Sequence, residues 1–351
     1  MTVTNPTPQR QLRGHLPTRP TPRLAASGEH HAFLARHLTT RDRWLARMLY
    51  EHRVFTTHQI VDLAFPSARA ANHRLRDLYQ WRVLDRFQPF VTIGAQPMHY
   101  VLDVAGAATL AFEEGIDPRE LRYRHDRAIG IAYSLRLAHT IGTNGFFTAL
   151  IAASRQPAAT GALTAWWSET RCARHFGDLV RPDGYGRWHD NATHTEIEWF
   201  LEFDFGTETL PLLASKLRGY HQLAAASGIT TPVLVCFPTT RRENAARRTL
   251  ADALANLDRP TLVPLATSSA DLPKPDGEDT APAGMGWLPL PPGDRQPRDR
   301  TRLADLPHAW PPAPIRAPRR TPRPAVHQGG SSELPVPAPL PPGYRRGGAR
   351  T

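Results

Sequence analysis

The sequence predicts an α+β to α/β protein with two folded domains: an N-terminal winged helix-turn-helix, then a mixed α/β domain, then a proline-rich tail without a fold. Three observations predict it. In a chain of 351 residues, apolar side chains concentrate between about Leu38 and Leu257, which is room for two modest domains. Between Thr39 and Leu102 the elements read helix, helix, helix, strand, loop, strand. From Leu163 the pattern turns to alternating strands and helices, and beyond Asp258 the last 94 residues hold 21 of the 35 prolines, too many for a regular core.

Taken in order, residues 1–37 carry proline and arginine with little periodicity and are expected to form a mobile arm. Thr39 or Thr40 caps a helix through Arg53 with Trp44, Leu45, Met48 and Leu49 on one face. A short helix follows from Thr56 to Phe65. Ser67 caps a third, Ala68 to Trp81, with Ala71, Leu75 and Leu78 turned inward. Strands at Val83–Phe87 and Met98–Leu102 flank a loop around Ile93-Gly94-Ala95, which completes a domain at 38–105. Residues 106–160 read as a helical connector, with Asn144-Gly145 as an expected interruption. The second domain spans 161–257: strands at Leu163–Trp167, Trp199–Phe205 and Pro232–Phe237, and helices from Leu210 to Ala226 and from Arg241 to about Asn256. Residues 258–351 are expected to be disordered.

The formal net charge of +11 is unevenly placed. Residues 1–105 carry 14 Lys and Arg against 7 Asp and Glu, whereas residues 106–257 carry 16 of each. That excess is the electrostatic footprint of a polyanion binder. Cys172 and Cys236 stand in no CxxC pair, which argues against zinc and disulfide scaffolds. The absence of a long apolar run or signal-peptide core leads to the expectation of a cytoplasmic protein. Of 43 basic residues only Lys216 and Lys274 are lysine, so a lysine inside a folded segment invites a chemical explanation.

In a helix-turn-helix the third helix lies in the major groove. Its outward set here is Arg69, Asn72, His73, Arg74 and Arg76. Arginine forks fit guanine edges or phosphates, and asparagine fits adenine. His58 and Gln59, opening the second helix, are placed to touch phosphates. The loop from Gln88 to Gln96 is the expected wing, though Phe90 to Met98 contains no Lys or Arg. The partner expected from this set is double-stranded DNA; a protein-docking role for the same helices remains open.

A second constellation lies in the α/β domain. Asp183 follows Arg181-Pro182, and Glu202 and Asp204 alternate with Leu201, Phe203 and Phe205 along one strand, which sets both acids on one face. Buried acids need a cation. Three carboxylates make an oxygen-rich set that suits magnesium, with Lys216 on the following helix reaching back and Glu169 as a fourth acid. A structural ion cluster with Arg181 and Arg187 is the alternative.

The order Pro-Asp, strand E-x-D, helix-borne Lys resembles the PD-(D/E)xK nuclease superfamily, with a restriction-endonuclease-like fold and the lysine moved onto the next helix. The resemblance implies a magnesium-assisted DNA nicking activity, in which the metal activates water and Lys216 positions it. The strand reads E-x-D where that pattern has E-x-K. Taken together, Leu38–Trp44, Thr56–Ile60, Ala70–Leu75, Asn144–Phe147, Trp166–Glu169, Arg181–Gly184, and Leu201–Asp204 with Gly206–Glu208 and Lys216 resemble the actinobacterial replication-relaxation family. That resemblance implies a role in plasmid or mobile-element replication and DNA relaxation. Two other readings stay open: a non-catalytic winged-helix transcriptional regulator, and an adaptor that recruits a relaxase or helicase through its proline-rich tail. Tyrosine-based strand transfer is disfavoured, because Tyr185 and Tyr220 lie near acids rather than in a cationic cage.

Overall fold

The structure, a computed structural model, describes residues 19–91, 94–272, 282–293, 297, 299–310 and 334–344. The chain divides into two compact units: Met1–Thr148 with Gly330–Arg345, and Ala149–Gly329 with Arg346–Thr351.

The first unit begins earlier than expected. Within the stretch read as a mobile arm, α1 (Pro22–Ala25) and α2 (Gly28–His37) are helical, capped by the Thr21 and Ser27 hydroxyls. Periodicity was too short there to read. The segment is held instead by Leu34, which is buried, by Phe33 edge-on to Trp81, and by Arg19, which donates to Asp85 at 2.8 Å and also to Asp103. Then follow α3 (Thr40–His52), β1 (Phe55–Thr56), α4 (Thr57–Ala64), α5 (Ala68–Gln80), β2 (Leu84–Phe87) and β3 (His99–Leu102). The three strands form an antiparallel sheet in the order β1-β3-β2, with Phe55 opposite Tyr100 and Phe87 opposite His99. Leu45, Met48, Ile60, Leu63, Ala71, Leu75, Leu78, Leu84 and Val101 are fully buried. This is the apolar periodicity of the three helices closing on one core.

Two further helices, α6 (Val104–Glu113) and α7 (His125–Ile129), precede α8 (Leu137–Ser154), which crosses the division between the units. Residues 106–160, expected to form a helical connector, hold α7, α8 and most of α6. Ile131, Ala132 and Leu137 pack on Val54, Phe87 and Val101 of the small sheet. Asn144-Gly145, expected to interrupt a helix, lies inside α8. The Asn144 amide donates to the carbonyls of His52 and Val54, at 3.1 and 2.7 Å, and that tertiary contact outweighs the local turn preference.

The second unit holds one six-stranded sheet in the order β4-β5-β6-β7-β8-β9. Its elements are β4 (Gly161–Ser168), α9 (Glu169–Phe176), β5 (Gly184–Asp190), β6 (Glu196–Phe203), α10 (Leu210–Ser227), β7 (Val233–Phe237), α11 (Thr240–Ala255), β8 (Leu265–Ser269) and β9 (Leu288–Pro289). β4, β5 and β6 pair antiparallel; β6, β7 and β8 run parallel through the crossover helices α10 and α11. Phe200, Leu213, Leu217, Val233, Val235 and Leu250 share one core cluster, which seats both helices on one face of the sheet.

Within the tail expected to lack a fold, the described residues as far as Trp310 include regular elements. β8 and β9 extend the sheet, and Trp287, Leu290, Leu303 and Leu306 are buried. Polar contacts fasten this segment. Arg247 of α11 donates to the Leu288 and Pro289 carbonyls at 2.8 and 2.9 Å. Glu243, fully buried, accepts from Thr267 at 2.6 Å and from Arg300 at 2.5 Å. Proline density hid this, because an edge strand and a covering turn tolerate the prolines that a central strand does not. Arg316, Arg319, Arg320, Arg323, Arg345, Arg346 and Arg350 lie outside the described residues, as do Thr92 and Ile93 of the expected wing.

Removing one member of a buried ion pair leaves the other uncompensated. Arg300→Ala should lower the unfolding free energy of the second unit by about 3 kcal/mol, read by urea denaturation; an unchanged midpoint would mean that the segment beyond Asp258 does not hold the sheet.

Candidate functional site

Helix α5 offers a cationic stripe. The Ser67 hydroxyl caps it by accepting from the Ala70 N–H at 3.3 Å, and Ala71, Leu75 and Leu78 seat its opposite face in the core. Arg69, Asn72, His73 and Arg76 are all exposed, and their spacing of three and four residues places them in one row. His58, in the first turn of α4, is also exposed.

Two residues of the predicted set are engaged elsewhere. Gln59 is buried: it closes a capping box with Thr56 and donates to the Ile141 carbonyl at 2.8 Å. Arg74 turns toward α3, donating from Nε and Nη2 to Asp42 at 3.0 and 2.6 Å and to the His37 carbonyl at 2.8 Å, with its guanidinium over the Trp81 ring. Both orient the helices. Helical spacing alone does not separate a cation facing solvent from one folded back on a neighbouring helix.

The second unit gathers most of the predicted acids at one end of its sheet. Ser168 pairs with Gly184 and Gly184 with Leu201; Glu169 follows Ser168, Asp183 precedes Gly184 and Glu202 follows Leu201 in the chain. Glu169 is the first residue of α9, where the helix N-terminus favours a carboxylate. Asp183 accepts from the Phe203 N–H at 2.8 Å. Glu202 is buried and faces α10. Lys216 Nζ donates to its Oε2 at 2.7 Å, the Tyr220 hydroxyl donates to Oε1, and Glu208 lies 3.3 Å from the same ammonium.

The approach of α10 depends on Gly219. A Cβ there would meet the Leu179 carbonyl oxygen at 2.5 Å. Tyr220, expected near the acids, is a direct partner of Glu202, as its spacing of four residues from Lys216 on one helix permits.

Asp204 is set apart from this group. It lies just past the end of β6, accepts from the Gly206 N–H at 2.8 Å and is clamped by Arg242 of α11, whose Nη2 donates to Oδ1 at 3.1 Å. The acids thus divide between Lys216 and Arg242. Among the described residues no group of three or more His, Cys, Asp or Glu is arranged to hold a metal ion. Arg187 pairs with Glu198 at 3.3 Å.

Burial, and then repulsion from Asp183, push the Glu202 carboxyl up to about 7 against the pull of Lys216 and Tyr220. The Lys216 ammonium is held above its ordinary value by Glu202 and Asp183, which outweigh its own desolvation. Burial and the neighbouring Glu202 raise the Tyr220 phenol well above its usual range, so it serves as a hydrogen-bond donor and not as a phenolate.

A helical unit with an exposed cationic stripe and a mixed-sheet unit with a buried acid–lysine cluster define a two-unit α/β protein. The chain belongs to the replication-relaxation family, which matches residues 47–252, a span that takes in α5 and the whole cluster. No curated protein matches the chain, and no solved structure does. Among the described residues no helix is long and apolar enough to cross a membrane.

The raised Glu202 value sets a pH dependence. An acid whose folded value of about 7 exceeds its ordinary 4.5 contributes stability that is complete below the ordinary value and is lost as pH rises through the folded one. Chemical denaturation across that interval should show the second unit weakening as pH rises, with a flatter profile in Glu202→Gln; equal slopes in the two proteins would contradict the assignment.

Proposed function

We propose that this chain is a DNA-binding protein of replication or DNA relaxation, whose first unit is a winged helix-turn-helix that reads double-stranded DNA with α5. The observation that carries this reading is the exposed row Arg69, Asn72, His73 and Arg76 on the third helix of the order α3-β1-α4-α5-β2-β3. The strand order β1-β3-β2 is the arrangement in which the β2–β3 loop becomes a wing. Guanidinium groups and an amide on a groove-sized helix suit phosphates and base edges. A plasmid or mobile element as the replicon, and a relaxase or helicase as a partner, belong to this reading through the family.

For the second unit we propose a PD-(D/E)xK-like domain. What supports it is the β4-β5-β6 antiparallel run followed by the α10 crossover to parallel β7, with Asp183 entering β5, Glu202 near the end of β6 and Lys216 on α10. A magnesium-dependent nicking activity is the finer proposal, and it would need the acids to regroup around Asp183 and Glu202. The competing reading, a regulator or adaptor that acts by binding alone, is favoured by the engagement of both Glu202 oxygens by Lys216 and Tyr220 and of Asp204 by Arg242.

Two measurements test the proposal. Arg69→Ala and Arg76→Ala should each lower the log–log salt slope of duplex binding by about 0.9, while Arg74→Ala should lower stability instead; an unchanged slope in the Arg69/Arg76 double variant would remove α5 from the interface. Supercoiled plasmid incubated with magnesium separates the readings of the second unit. Nicking by the intact protein that is lost in Lys216→Ala supports the nuclease; full DNA binding without nicking supports the binding-only regulator.

A further inference from the structure

Residues 334–344, Leu-Pro-Val-Pro-Ala-Pro-Leu-Pro-Pro-Gly-Tyr, belong to the first unit although they come from the far end of the chain. The Trp44 indole N–H of α3 donates to the Ala338 carbonyl at 2.7 Å. Leu334, Pro337 and Pro339 are buried while Pro335 and Ala338 are exposed. Residues 334–338 lie outside any helix or strand, and the segment closes in a turn where the Tyr344 N–H donates to the Pro341 carbonyl at 3.2 Å with Gly343 at φ +80°. Proline followed by glycine suits such a turn.

These are the elements by which proteins recognise polyproline II. A polyproline II segment makes no internal hydrogen bonds, so its carbonyls can accept from a receptor, and its three-residue repeat would bring residues such as Leu334 and Pro337 to one face. The matching receptor is an aromatic side chain that packs on the prolines and donates to a carbonyl between them. Trp44 does the second directly, and at 8% exposure it is otherwise enclosed. The segment carries no charged side chain, so its hold on the unit is apolar and hydrogen-bonded.

We propose that the α3 surface around Trp44 is a binding site for extended proline-rich polypeptide, and that its occupant is the chain's own residues 334–344, held as a ligand in cis. The contact sets a rule for what else fits: an uncharged segment with apolar residues three apart and an unblocked carbonyl just after the second. A proline-rich segment of another protein must displace the resident one. This differs from a tail that is free bait, because the resident segment is already engaged.

The test uses the full-length protein and the indole N–H signal of Trp44 in 15N spectra, assigned by its loss in Trp44→Phe. In the wild type this proton should exchange slowly with solvent. In Pro337→Asp/Pro339→Asp it should exchange about tenfold faster or more, with the folded far-ultraviolet spectrum retained, and Leu334→Ala should fall between the two. A synthetic peptide of residues 334–344 added to the double variant should restore slow exchange saturably and with little dependence on salt; the peptide carrying the same two aspartates should not. Unchanged exchange in the double variant and in Leu334→Ala would overturn the proposal, and so would failure of the wild-type peptide to restore protection in a folded variant.

Discussion

The carboxylate of Asp42 decides where α5 points. It is buried and accepts from the Thr39 N–H at 2.7 Å and from the Thr39 hydroxyl, from Arg74 Nε at 3.0 Å and from Arg74 Nη2 at 2.6 Å. One group therefore caps α3 and ties it to α5. Such a site is costly unless all its acceptor positions are met, and here they are: these bonds hold the Asp42 carboxyl below its ordinary range although burial pulls the other way. With α5 fixed about its axis by Arg74, the row Arg69, Asn72, His73 and Arg76 is exposed among the described residues.

The second unit shows the same economy with a different outcome. Glu202 is buried in a strand of large apolar residues, and the chain answers with Lys216 and Tyr220, a helix turn apart on α10. Gly219 lies between them and lets α10 lie against the Leu179 carbonyl. Asp204, two residues along, is answered separately by Arg242. A carboxylate with a dedicated cation is stable, and each such pairing withdraws an oxygen from any shared ion. The Lys216–Glu202 contact joins β6 to α10 here.

Much of this was legible in the residues. The three helices and the strands β2 and β3 between Thr40 and Leu102 follow from apolar periodicity and capping residues, because local pattern and tertiary packing agree there; the two-residue β1 was not expected. Lys216 beside Glu202 was also readable, from the rarity of lysine and the alternation of the strand. What was not legible depended on distant partners. β5 reads Gly-Tyr-Gly-Arg-Trp-His-Asp, where glycines and charges mask the alternation of a strand buried between two others. Asp204 looks equivalent to Glu202 until the chain turns after Phe203 and Arg242 arrives from α11. Gln59 and Arg74 look like surface groups until α8 and α3 supply Ile141 and Asp42. The fold beyond Asp258 escaped notice because its hold comes from Arg247 and Glu243 on an earlier helix.

The account rests on DNA meeting the protein through α5. Hydrogen–deuterium exchange of the full chain, with and without duplex DNA, reads this directly. The result that agrees is new protection at the amino-terminal turns of α4 and α5, around His58 and from Arg69 to Arg76, that disappears at high salt. Protection confined to the second unit, with α5 unchanged at saturating DNA, would contradict it.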